Sequence, residues 1–321
     1  MPHRTVPPNP NLEQYKKQAK ELLTACTDAQ PEALVRIRNH HPRLKHAPDL
    51  EAERMALKLS DAQIVIAREH AFDSWPKFAM HVRSIELAHP SGSSMLASPF
   101  KRFAEAIPMG GIELTAEISM PPNGKGLVLC VDAAGSSHNA RAHAATDALH
   151  RVGIGTVLAD LLTEEETTDE EETTDDALAE RVRFDLPLLS GRINALRDWI
   201  LKQPDLREFG LGYLGTDTGA SAALWAASRP PHLPRAVVSL GGRPDHAGPR
   251  LGYLQVPTLF ITGSKSPALL EMTRFAYSVI PRETTCDLEA IAGASHGLQE
   301  EIALSKGVEL ASAWFERFLA A

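Results

Sequence analysis

The chain has 321 residues, 43% hydrophobic and 23% charged, with a formal charge of −8. This composition excludes a collagen, a disordered tail and a disulfide-stapled miniprotein, and the length fits two domains or one large α/β domain. Nine of the acidic residues lie between Glu164 and Asp176, so the rest of the chain carries about +1 and has no basic surplus for nucleic acid. No run of 18 apolar residues occurs and the mean hydropathy is −0.18, so no membrane span is expected. The start, MPHRTVPPNPNLEQYKKQ, lacks the apolar core of a secretory signal. The three cysteines, Cys26, Cys130 and Cys286, have no CxxC spacing and read as reduced thiols. A cytoplasmic location is expected, with no metal or cofactor.

Residues 1–90 read as an all-helical bundle. Asn11 caps a helix with apolar positions Leu12, Tyr15, Ala19, Leu22, Leu23 and Cys26 at helical spacing. Pro31 suits the first turn of a second helix through Ala33, Leu34 and Ile37. Ser60 and Gln63 give a capping-box pattern before IVIAREH, and Ser74 precedes WPKFAMHV, whose Pro76 sits in the tolerated first turn. Trp75 and Phe78 are expected in the bundle core. The stretch PNLEQYKKQAKELL with LSDAQIVIAREHAFDSWPKFAMHV resembles a helical module found ahead of ankyrin repeats in bacterial proteins, over residues 10–85. No 33-residue repeat follows. That resemblance implies a protein partner for the helical domain.

A linker is expected over 91–110, with PSGSS near its start and a short helix over Pro99–Ala106. From Gly111 the period changes. Ile112, Leu114, Ala116 and Ile118 alternate with polar residues, as in a half-buried edge strand. Apolar strand-like runs follow at 126–131, 154–159, 210–215, 236–240 and 258–262, with a last one near 285–291. Helical stretches near 140–151, 187–202, 219–228, 268–278 and 305–319 separate or follow them. Short apolar strands alternating with helices imply a mostly parallel sheet covered on both faces, and the edge strand, the β/α units and a His just before the last helix together suggest an α/β-hydrolase fold over residues 111–321. The acidic run at 164–176 reads as a solvated loop.

The chemistry is expected where a strand turns sharply into a helix. Gly215-Thr216-Asp217-Thr218-Gly219 has the nucleophile-elbow spacing between GLGYL and ASAALWAAS, with Asp217 in the central place. His296, in AIAGASHGLQEE, stands on the loop after the last strand, where a base belongs. An acid that orients it would ordinarily follow the TLFIT strand, but that loop, Gly263-Ser264-Lys265-Ser266-Pro267, has no carboxylate. Asp245, one strand earlier in GGRPDHAG, is the alternative; it reads equally well as a turn residue of a Gly/Pro-rich loop. The small residues Ala133 and Ala134, after the first long parallel strand, and Thr218 are candidates to line an oxyanion pocket, with Asp132 beside them.

Residues 111–321 resemble the dienelactone hydrolase-like branch of the α/β hydrolases. That branch reads as a strand then HGSGSS, DLLTEEE, an elbow such as GASTGAAAAL, GGRPDLAG, a GGxD loop and PGATHLFEE. This chain has DAAGSSHNARAH, DLLTEEE, GTDTGASAAL, GGRPDHAG, GSKS and AGASHGLQEE. The resemblance implies a hydrolase acting on a small molecule, with the His kept as His296. It departs at three functional positions: Asp217 for the elbow Ser, Ser266 for the loop Asp and Asp132 for the first His.

Three readings follow. In the first, Asp217 is a nucleophile toward saturated carbon, His296 activates water against the resulting ester, and Asp245 holds the imidazole. In the second, the fold is catalytically silent and serves binding or regulation. In the third, Thr216, Thr218 or Ser221 is a displaced nucleophile.

Overall fold

The computed structural model describes residues 4–7, 10–44, 57–88, 101–133, 140–163, 166, 181–230 and 233–319. The chain divides into two compact units, residues 1–97 with 102–106 and residues 98–101 with 107–321.

Among the described residues, four helices belong to the first unit: α1 (Leu12–Thr27), α2 (Pro31–His40), α3 (Leu59–Glu69) and α4 (Trp75–Ala88). Asn11 caps α1 by accepting from the Gln14 N–H at 3.1 Å. The stripe Leu12, Tyr15, Ala19, Leu22 and Cys26 is buried against Ile37, Val65, Ile66, Trp75, Phe78 and Val82. Trp75 and Phe78 are therefore core. The start of α3 differs from expectation. The helix begins at Leu59, which leaves Ser60 inside the first turn, and the Asp61 carboxylate reaches back to the Lys58 N–H at 2.9 Å. The acid at the third helical position caps the turn in place of Gln63.

Among the described residues from 101 onward the strands form one eight-stranded sheet. Its strands are β1 (Lys101–Met109), β2 (Ile112–Met120), β3 (Leu127–Asp132), β4 (Gly155–Asp160), β5 (Leu211–Thr216), β6 (Ala236–Leu240), β7 (Thr258–Gly263) and β8 (Cys286–Ile291). Their order across the sheet is β1-β2-β4-β3-β5-β6-β7-β8. β2 runs antiparallel to β4, and every pairing from β4 to β8 is parallel. The helices are α5 (Ala140–Arg151), α6 (Leu186–Lys202), α7 (Asp217–Ala227), α8 (Pro267–Ser278) and α9 (Glu301–Leu319). β3, β5, β6 and β7 are buried along their whole length, as strands covered on both faces must be. One core gathers Val128, Cys130, Leu214, Val238 and Ile261 with Trp314 and Phe315 of α9.

The predicted helix over Pro99–Ala106 is corrected from Lys101 onward, where a strand runs to Met109; its first two residues lie outside the described ones. Gly110 and Gly111, both at positive φ (61° and 114°), make the two-residue turn from β1 into β2. β1 therefore takes the edge expected for residues 112–118, and it lies inside the stretch read as linker. The acidic run also needs one correction. Glu166, its one described residue, is not a solvated side chain. Its carboxylate binds both Arg192 terminal nitrogens at 2.6 and 2.7 Å and accepts from the Thr163 N–H at 2.9 Å. Burial works against that carboxylate, but the Arg192 and Thr163 hydrogen bonds and the Arg192 charge outweigh it and hold its pKa below the ordinary value.

Among the described residues no helix is long and apolar enough to cross a membrane.

Candidate active site

The site lies where β5 turns into α7. Asp217 opens that helix with φ at +44°, in the left-handed region that non-glycine residues seldom occupy. The turn is as tight as the Gly-x-Asp-x-Gly pattern demands. A Cβ at Gly215 would lie 2.4 Å from the Ala220 Cα, and one at Gly219 would lie 2.6 Å from the Val131 carbonyl oxygen. Only hydrogen side chains let α7 pack this closely behind β5 and β3. The buried Thr218 follows in the first turn, where a helix leaves its N–H groups without intrahelical partners.

Arg141, at the start of α5, was not singled out from the sequence. Its Nη2 donates to Asp217 Oδ2, and its Nη1 donates to the Gly297 carbonyl at 3.0 Å. One guanidinium thus ties the elbow to the residue after His296. Asp217 Oδ1 carries no hydrogen bond among the described residues. No local motif marks Arg141, because it stands 76 residues from one partner and 156 from the other.

Backbone bonds pin the His296 loop to the end of β7, from Lys265 N–H to the Ala294 carbonyl at 2.9 Å and from Ser264 N–H to the Ile291 carbonyl at 3.0 Å. The imidazole Nδ1 lies 2.9 Å from Thr262 Oγ1. Its Nε2 is enclosed and meets no partner at full hydrogen-bonding geometry among the described residues. Burial is the main influence on the ring and lowers its pKa, with help from Arg243. The Gly242 carbonyl and the Asp217 and Asp245 carboxylates pull the other way and are outweighed. The net effect favours the neutral form of the His296 imidazole.

Asp245 does not hold this ring. Its carboxylate takes two bonds from Arg243, at 2.9 and 2.8 Å. Burial works against its charge, but the Arg243 hydrogen bonds and charge prevail and hold its pKa below the usual range. The physical reason is proximity: a guanidinium two residues away in the same turn captures the acid. Ser266, in the loop where an orienting acid ordinarily stands, accepts from the Leu269 N–H at 3.5 Å and caps α8.

The oxyanion loop is also altered. Buried Asp132 accepts the Ala133 N–H on Oδ1 at 2.7 Å. Ala133 therefore does not offer a free donor, contrary to expectation, because an adjacent carboxylate already satisfies it. Ala134 lies outside the described residues. Ser221 is buried and donates to the Arg243 carbonyl at 2.5 Å, which removes it as a displaced nucleophile. Among the described residues no group of three or more His, Cys, Asp or Glu side chains could hold a metal.

No family model matches the chain. It is similar to the crystal structure of a dienelactone hydrolase from Anabaena variabilis, at 34% identity and a TM-score of 0.63, covering 69% of this chain and 99% of that one. A dienelactone hydrolase-like promiscuous phosphotriesterase from metagenomic libraries shares the fold at 16% identity and a TM-score of 0.57, covering 69% and 99% of the two chains. A protein of Mycobacterium tuberculosis, named as a candidate phosphoribosyl transferase, is 37% identical over 207 residues, 64% of this chain. The chain spans 44% of the length of that curated relative.

Proposed function

Through its α/β unit the chain belongs to the dienelactone hydrolase-like family of α/β hydrolases, and we propose that it is a hydrolase whose elbow carboxylate, Asp217, attacks saturated carbon of a small-molecule substrate. The observation that carries this reading is the backbone of Asp217. A non-glycine residue at φ +44° costs on the order of 1 kcal/mol, and such strain is kept where a side chain must be presented at a fixed point. The chemistry then selects the substrate. A carboxylate attacking an ester carbonyl would make an anhydride, whereas attack on saturated carbon makes a stable alkyl ester. A carboxylate needs no base to ionise near neutrality, so His296 is free for the second step. There the enclosed Nε2 accepts a proton from the water that attacks the Asp217 ester. An enclosed ring nitrogen that meets no well-aligned partner among the described residues fits a position reserved for a reacting group.

A second reading, a silent fold used for binding, draws support from the Asp132 bond to the Ala133 N–H. That bond occupies a donor that acyl chemistry would need. On this reading the helical unit, through its resemblance to a module ahead of ankyrin repeats, docks a protein partner.

A single turnover with 1-bromobutane in H2(18)O distinguishes them. The nucleophile reading predicts 18O in the Asp217 carboxylate and an unlabelled first-turnover alcohol, because the alcohol oxygen comes from Asp217. Labelled alcohol with unlabelled Asp217 means direct attack by water and refutes that reading. No turnover of the bromide and of a panel of terminal epoxides supports the silent fold.

A further inference from the structure

Resting on the nucleophile reading, we propose that Arg141 is a catalytic residue that stabilises the oxyanion formed when the Asp217 ester is hydrolysed. Its guanidinium binds one oxygen of the elbow carboxylate, Oδ2, and leaves Oδ1 without a hydrogen bond among the described residues. The two oxygens are therefore inequivalent before substrate arrives. In the first step the Oδ1 lone pair forms the bond to the substrate carbon, and the carbon–bromine bond breaks with bromide leaving. Oδ2 becomes the carbonyl oxygen of the new ester and stays on Arg141. In the second step water gives a proton to His296 Nε2 and its oxygen bonds to the Asp217 Cγ. The carbonyl electrons move onto Oδ2, where the guanidinium meets the new negative charge. Collapse of this intermediate breaks the Cγ–Oδ1 bond, and the departing alkoxide takes the proton back from His296. The hydroxyl left on the Asp217 Cγ then gives up its proton to solvent, which restores the carboxylate, so one turnover consumes the bromide and one water and releases the alcohol, bromide and a proton.

Two observations fit this role. Ala133, a backbone donor of the ordinary oxyanion loop, is occupied by Asp132 at 2.7 Å, so that donor does not serve the developing charge. Arg141 is also held at both ends. Its second nitrogen is anchored 3.0 Å from the Gly297 carbonyl, next to the base, and its side chain is only 16% exposed. A donor fixed in advance at the point where charge develops is the most effective kind.

The experiment measures ester formation and ester loss separately, by intact-protein mass spectrometry with 1-bromobutane as the probe, in the full chain. Wild type, Arg141→Gln, Arg141→Lys and His296→Gln are compared after thermal melts confirm folding. Loss of one oxyanion donor slows the step it serves by roughly 100-fold or more. Arg141→Gln should therefore form the butyl ester and lose it about 100 times more slowly than wild type, with Arg141→Lys in between. Ester loss at the wild-type rate in Arg141→Gln overturns the proposal and leaves the Asp217 nucleophile standing. A variant that neither forms ester nor melts like wild type assigns Arg141 a structural role and also overturns it. No ester in any variant, His296→Gln included, overturns the nucleophile reading and this proposal together.

Discussion

Thr262 Oγ1 lies 2.9 Å from His296 Nδ1, in the place where an orienting carboxylate would ordinarily stand. Thr262 is the penultimate residue of β7 and is itself buried. When Nδ1 carries the proton it donates to this hydroxyl, which leaves the Nε2 lone pair free. The Thr262 hydroxyl gives its own proton to the Gly263 carbonyl at 3.4 Å, which leaves its oxygen to accept from Nδ1, but it adds no negative charge to stabilise an imidazolium.

Replacing that hydroxyl tests its role. Thr262→Val should slow ester hydrolysis about tenfold and leave ester formation unchanged, whereas Thr262→Ser should restore the rate. Thr262→Asp should raise the pKa of His296 and move the acid limb of the pH profile upward. Nitrogen-15 NMR of the ring reads tautomer and titration directly. A ring unaffected by Thr262→Val would contradict the assignment.

The depressed His296 pKa fixes the sign of a pH effect. The unfolded chain takes up a proton near 6.5, but the folded chain does so only at a lower pH. Folding stability is therefore undiminished above 6.5, falls as pH drops from 6.5 toward the folded value, and levels off below it. His296→Gln should remove this part of the slope. Denaturant titrations at a series of pH values measure it, and equal slopes in the two proteins would show that the ring is not desolvated.

Much of the fold was legible in the sequence because the central strands are short apolar runs and the helices carry regular stripes. The elbow was legible because its glycines answer a local steric demand. β1 escaped notice because its buried residues, Ala104 and Ile107, are three apart and imitate a helical spacing. Arg141 and Thr262 escaped because their partners meet them only in the folded chain, at separations of 76 and 34 residues. Asp245 illustrates the opposite failure. Its position was plausible, but Arg243 lies nearer in the same turn and takes the carboxylate.

The Glu166–Arg192 pair carries a separate prediction. Arg192 is 7% exposed, with its guanidinium also donating to the Leu161 carbonyl at 2.6 Å. Glu166→Ala would leave that charge buried with one neutral acceptor, a loss of about 3 kcal/mol. The depressed Glu166 pKa means that its contribution is present above the ordinary value of 4.5 and is lost as pH falls through the folded value. Wild type and Glu166→Ala should therefore differ most above pH 4.5 and converge in acid, as chemical denaturation would show.

Activated carboxylic esters should be poor substrates. Hydrolysis of p-nitrophenyl acetate should stay near background in the wild type and remain there in Asp217→Ser, since Asp132 still occupies the Ala133 N–H. Adding Asp132→His and Ser266→Asp to Asp217→Ser should raise the rate at least about tenfold, because residues of a catalytic set act as a unit. Strong wild-type turnover abolished by Asp217→Ala would refute this.

The most direct measurement of the central claim is the mass of His296→Gln after incubation with 1-bromobutane. The account predicts one added butyl group, mapped to the peptide containing Asp217, that persists because the base needed to remove it is gone. Asp217→Asn in the same background should show no addition, since a neutral amide is a poor nucleophile. An unmodified His296→Gln protein, or a butyl group placed on Thr216 or Thr218, would contradict the claim that Asp217 is the nucleophile.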